Sequence, residues 1–170
     1  MEYVMIRFCA WIIKPFLRFL DFIRPLADLA TRLWIAWIFF QSGLVKLQSW
    51  PTTIVLFQSE YHVPFLSSHA AAVLGTAAEL ILPVLLAIGL GGRLTILLFF
   101  VYNASTVVSY HFLWTPDGWN GLAQHINWGL LLALLMTHGS GKLSVDYWLK
   151  CRHGYHFEKG KKEKLVKVDE

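Results

Sequence analysis

Residues 73–90 read VLGTAAELILPVLLAIGL. The run is apolar enough to cross a bilayer, yet Glu79 stands near its middle and Pro83 follows four residues later. Proline has no N–H, so the carbonyl of Glu79 loses the helical hydrogen bond it would otherwise accept. An ionisable side chain and a freed backbone acceptor therefore share one depth. A charge at the bilayer centre costs roughly 2.5–3.5 kcal/mol on insertion scales, which makes Glu79 a candidate for function. The structural alternative is a protonated Glu79 that hydrogen-bonds across a helix interface.

Composition agrees with a membrane setting. Of 170 residues, 56% are hydrophobic and 15% charged, against about 25% charged in soluble domains. The charge collects at the two ends of the chain, so the net +4 suits an anionic membrane surface and excludes a nucleic-acid footprint. Cys9 and Cys151 form no CxxC and no metal-type spacing. The first residues lack the clean apolar core and small-residue site of a cleavable signal, so the first spanning helix is expected to direct insertion.

Taken in order, residues 1–26 carry Arg7, Lys14, Arg18 and Asp21 along one side of a helix, with Phe8, Trp11, Phe16 and Phe19 elsewhere. This predicts an amphipathic segment in the membrane interface, broken into two pieces by Pro15 and Pro25. A first span is expected over 27–47, a second over 68–90, a third over 94–112 and a fourth over 122–138. Residues 49–67 and 113–124 read as connections. LSVDYWLK (143–150) predicts a short interfacial helix, and a lysine-rich tail occupies 150–170. The fold class is thus an all-α membrane protein. It comprises a four-helix transmembrane domain (27–149) between the interfacial segment and the basic tail.

Loop charge orients it. The 91–93 turn and both termini carry Lys and Arg, whereas 51–67 and 113–124 carry none. The positive-inside rule then puts both termini in the cytoplasm. With that orientation, Gln41, Ser42 and Lys46 lie in the outer half of the first helix. Glu79 sits roughly 16 Å below its helix start, at 1.5 Å per residue. Asn103 lies mid-membrane, Tyr110 and His111 near the outer end of the third helix, and His125 at the outer start of the fourth. The expectation is a polar pocket open to the non-cytoplasmic side. Glu79 would be its proton relay and Lys46 its partner, with Gln41, Ser42, Asn103, Tyr110, His111 and His125 as ligand contacts. The histidines have no HxxxH or ExxH spacing, so a copper or iron site would have to be assembled between helices, from His111 and His125 with His62 and His69.

Three segments carry a resemblance: SGLVKL (42–47), LGTAAELILPVLLAIGLGGRL (74–94) and GSGKLSVDYWL (139–149). On these the chain resembles the DoxX family of small four-helix membrane proteins. The resemblance implies a bacterial inner-membrane location and an association with membrane redox subunits, coupled to quinone or thiol chemistry. Some members resemble products linked to small secreted metal-binding peptides. Ser42, Lys46 and Glu79 fall on the recurring motif positions. The leading expectation is a redox-associated subunit whose pocket takes a quinone or similar molecule. The alternatives are a component handling copper, iron or a metal-binding peptide, and a non-catalytic scaffold in the lipid bilayer.

Overall fold

Ser67 opens the helix that carries Glu79. Its Oγ accepts the Ala70 N–H at 3.3 Å, satisfying one of the N–H groups that a helix start leaves free. The helix closes on Gly89 at φ 69°, whose N–H turns back to the carbonyls of Leu85 and Leu86. The computed structural model describes residues 2–153, with side chains from residue 13 onward. Its helices are α1 (Glu2–Gln48), α2 (Trp50–Ser59), α3 (Ser68–Ile88), α4 (Gly92–Ser109), α5 (Trp119–His138) and α6 (Val145–His153), with a 3-10 turn at His111–Trp114. Every regular element among the described residues is helical. The one extended pairing is an isolated antiparallel bridge between Tyr61 and Tyr110.

Several boundaries differ from the sequence reading. α1 runs unbroken through Pro15 and Pro25. Each proline frees one carbonyl, and the Leu, Ile, Phe and Arg residues on either side carry the helix across that local loss. The interfacial segment and the first spanning stretch are therefore one helix. The 49–67 connection contains α2, which starts with Pro51 in its first turn, where a missing N–H costs nothing. α4 ends at Ser109, so Tyr110 and His111 leave the helix rather than extending it. The lysine-rich tail beyond His153 lies outside the described residues.

α1 packs along α3, and α4 along α5. The core draws on all four: Ile35 and Phe39, Leu86, Ile96 and Phe99, Leu132 and Leu135. The outer surface is apolar as well. Leu74, Ile81, Val101, Val108 and Leu130 are all exposed. In a water-soluble protein so much exposed aliphatic surface would be a liability; against lipid it carries no penalty. Among the described residues, Ser68–Ile88 and Gly92–Ser109 are long and apolar enough to cross a membrane.

The end of the helices nearest Gly89 is tied by polar contacts. Asp28 Oδ1 pairs with His138 Nδ1 at 2.9 Å. Arg32, only 1% exposed, donates to the carbonyl of Leu143 and packs against Gly89, where a Cβ would strike the guanidinium. Arg93 donates to the Thr137 carbonyl at 3.2 Å. Asp146 accepts the Gly91 N–H at 3.1 Å, fastening the start of α6.

Candidate functional site

Gly43 lets α1 and α3 approach at the level of Glu79: a Cβ there would lie 2.9 Å from Leu80 Cδ2 and 3.1 Å from Glu79 Cβ. One turn further along α1, Lys46 Nζ meets Glu79 Oε2 at 2.5 Å, with the two side chains 11% and 6% exposed. Lys46 also donates to Ser42 Oγ at 3.0 Å. The other carboxylate oxygen, Oε1, accepts the Tyr102 hydroxyl at 3.0 Å. Both oxygens of Glu79 are thus engaged by side-chain donors. On α4, Ser105 and Thr106 donate to the carbonyl of Tyr102, at 2.7 and 3.1 Å.

Asn103, the next residue, faces α5. Its Nδ2 donates to the His125 carbonyl at 2.9 Å, and its Oδ1 lies 2.8 Å from His125 Nδ1. A carbonyl only accepts, so the amide nitrogen must face it and the amide oxygen must face the ring. Nδ1 therefore carries a proton, and a neutral His125 keeps its lone pair on Nε2. The imidazole packs edge-on against Trp128 and Phe39, at centroid distances of 4.8 and 6.1 Å.

Beside Tyr102 lies a cavity of about 250 Å³. Small residues of α3 make the room: Ala71, Gly75 and Ala78. A Cβ on Gly75 would come within 3.1 Å of Phe57 Cζ and 3.8 Å of the Tyr102 oxygen. Phe57 and Tyr61 form the roof, their rings stacked at 4.4 Å, and Tyr61 stacks in turn on Tyr110 at 4.5 Å. The His62 N–H donates to the Ser109 carbonyl at 2.9 Å, clasping this roof to α4. Burial pushes the Tyr61 phenol well above its usual range, reinforced by the Glu79 charge and by Tyr110, so it stays a protonated donor. Burial, then Glu60, raises Tyr110 as well. Among the described residues, no charged side chain lines the cavity.

The residues singled out in the sequence therefore divide. Ser42, Lys46 and Glu79 converge. Asn103 and His125 pair with each other on α4 and α5, Tyr110 braces the cavity roof, and Gln41 is half-buried and joins none of these hydrogen bonds. His111 is exposed at the start of the 3-10 turn, and His62 and His69 are exposed too. Tyr102, Tyr61, Phe57 and Gly75 are the additions. Of these, Tyr102 had a usable signal: it stands at the depth of Glu79 on the neighbouring, oppositely running helix.

A comparison with protein families matches DoxX over residues 27–112. The match takes in SGLVKL and the whole 74–94 run, and stops short of GSGKLSVDYWL. No curated protein and no solved structure matches the chain. A match over half of the sequence, centred on the helices that bring Lys46 and Glu79 together, makes this chain a member of the DoxX family of membrane proteins.

Proposed function

We propose that the chain is a four-span inner-membrane protein serving a redox system, with both termini in the cytoplasm. It holds a quinone or a similar planar small molecule in the cavity beside Tyr102, on the non-cytoplasmic side. One observation carries the reading: the Tyr102 residue that lines the cavity also donates its hydroxyl to Glu79, which is paired to Lys46. A molecule in the cavity would thus lie one hydrogen bond from a buried acid–base pair.

The residues fit such a guest. A cavity of about 250 Å³ falls just under the roughly 300–1,000 Å³ usual for whole drug-sized ligands, and suits a ring headgroup. Aromatic faces from Phe57 and Tyr61 bound it, and no charged group demands a counter-charge. When bound, a quinone supplies two-electron chemistry that needs protons at its carbonyl oxygens. The part of this chain is to hold and move those protons: Tyr102 gives up its phenol proton and takes one back through Glu79, to which Lys46 supplies the replacement. Tyr61 presents a second phenol on the roof.

The organic extract of protein purified in mild detergent should contain a quinone near one per chain. Tyr102→Phe and Glu79→Gln should retain it while lowering quinone-linked activity in membranes by about 10²-fold, the low end for loss of a general acid or base. An empty wild-type protein, or full activity in both variants, would sink the reading.

The scaffold reading draws on Asn103 and His125, which hydrogen-bond each other twice across α4 and α5 as a structural pair would. It expects Glu79→Gln to cost stability and change no binding. The metal reading has less support, because no three His, Cys, Asp or Glu side chains among the described residues are grouped to hold an ion.

A further inference from the structure

We infer that the cavity is entered sideways from the lipid, through the seam between α3 and α4, and that its ligand is a membrane-dissolved amphiphile with a neutral ring headgroup and a hydrocarbon tail. This rests on the reading of the cavity given above.

Three of its boundaries are closed. The deep end stops at Tyr102, behind which Glu79 and Lys46 are almost fully buried. The wall toward the helix interior is made by buried Ala71, Gly75, Thr106 and Ser109. Above, the stacked Phe57, Tyr61 and Tyr110 rings and the backbone pairing of Tyr61 with Tyr110 form a fastened roof. The remaining boundary differs in kind. Leu74 on α3 is 56% exposed, and Ser105 facing it from α4 is exposed as well, yet both line the cavity. A side chain that belongs both to a cavity wall and to the outer surface marks an opening; Leu66, in the loop before α3, also lines the cavity at 42% exposed, so the opening reaches from the seam to that loop.

The opening continues into a track. On α3, Leu74, Ala78 and Ile81 follow at i, i+4 and i+7, so they share one face. On α4, Ser105, Val101 and Leu98 do the same in the reverse direction. The two helices run oppositely, so both rows descend together from the cavity toward the middle of the membrane. Ile81, Val101 and Leu98 are 58%, 55% and 50% exposed. A hydrocarbon tail leaving the cavity would lie along these rows in contact with lipid. The cavity is too small for a tail, and below Ser105 the rows carry no polar group to hold a head. A phospholipid is a poor match, because its phosphate would meet no cation in a lining without charged residues.

The test uses the full chain in lipid nanodiscs. It compares a tailless benzoquinone with its polyprenyl counterpart, and follows binding by quenching of intrinsic fluorescence. The polyprenyl form should bind about tenfold more tightly. Val101→Trp, which blocks the seam below the cavity without entering its lining, should weaken the polyprenyl form by about tenfold and the tailless one by less than about twofold. Ile81→Ala removes part of the track and leaves the opening, so it should weaken the tailed ligand alone. Unchanged melting temperatures confirm that both variants fold. If both ligands bind wild type equally and Val101→Trp changes neither, the lateral entrance is wrong while the cavity reading stands. If neither ligand binds wild type, the cavity reading fails and takes this inference with it.

Discussion

Glu79 is held by two donors in a setting with little water, so each partner's loss has a definite cost. Removing one member of a buried ion pair leaves the other charge uncompensated, typically at about 3–5 kcal/mol. Lys46→Met and Glu79→Met should each lower the detergent melting temperature sharply, and the double variant should lie closer to wild type than either single one. Equal additive losses would mean that the pair is not coupled. Tyr102→Phe removes one hydrogen bond to a charged acceptor and should cost about 1.5–3 kcal/mol in the same assay. For His125, nitrogen NMR should show a protonated Nδ1 and a bare Nε2, and the reversed pattern would contradict the Asn103 geometry. At this scale the sequence was partly legible. Glu79 and Lys46 stand out because charge inside an apolar run is conspicuous. Tyr102 shares their depth but stands out less, because in FFVYN (99–103) a tyrosine looks like one more aromatic residue until the rotation of α4 about its axis is known.

Among the elements, α3 was the most readable. A span was expected over 68–90, and the structure has it at Ser68–Ile88, capped by Ser67 and Gly89. Gly89 has a second duty, because Arg32 and Ser144 press against its Cα. Gly89→Ala would therefore meet both a left-handed backbone and a collision, and should destabilise by more than about 1 kcal/mol. A thermal melt matching wild type would show that Arg32 has room to move. Gly75→Ala tests the other face of the same helix: it should cut ligand affinity at the cavity with little change in melting temperature. α2 lies within the 49–67 stretch read as a connection, which starts Trp-Pro and carries no Lys or Arg. Its helical form owes more to packing against the start of α3, where Phe57 meets Ala71 and Ala72, than to local propensity. The continuity of α1 was hidden for a related reason: a proline marks the loss of one hydrogen bond and does not by itself set a helix end.

At the scale of the whole molecule, the four long helices repeat one order. α1 places Asp28 and Arg32 before Ile35 and Phe39, and Lys46 after them. α5 places His125 before Leu132 and Leu135, and His138 after. α3 and α4 agree, with Glu79 and Tyr102 on the same side of Leu86, Ile96 and Phe99. Loop charge supplied the orientation, and a single-cysteine series tests it. With Cys9 and Cys151 replaced, Asp117→Cys should react with an impermeant maleimide from the non-cytoplasmic side and Lys142→Cys only from the cytoplasm. The opposite pattern would invert the proposal. What sequence could not give was the sorting of polar residues into separate clusters, since that depends on helix rotation rather than on depth. The layer between the two polar ends has its own consequence. Ile35, Phe99 and Leu132 are fully buried, so the layer acts as the insulator of a capacitor. In the proposed setting the membrane voltage, about 2.3 kcal/mol per charge per 100 mV, falls across it. A proton that Glu79 exchanged with the non-cytoplasmic side would not cross that layer, so the membrane voltage would do no work on it.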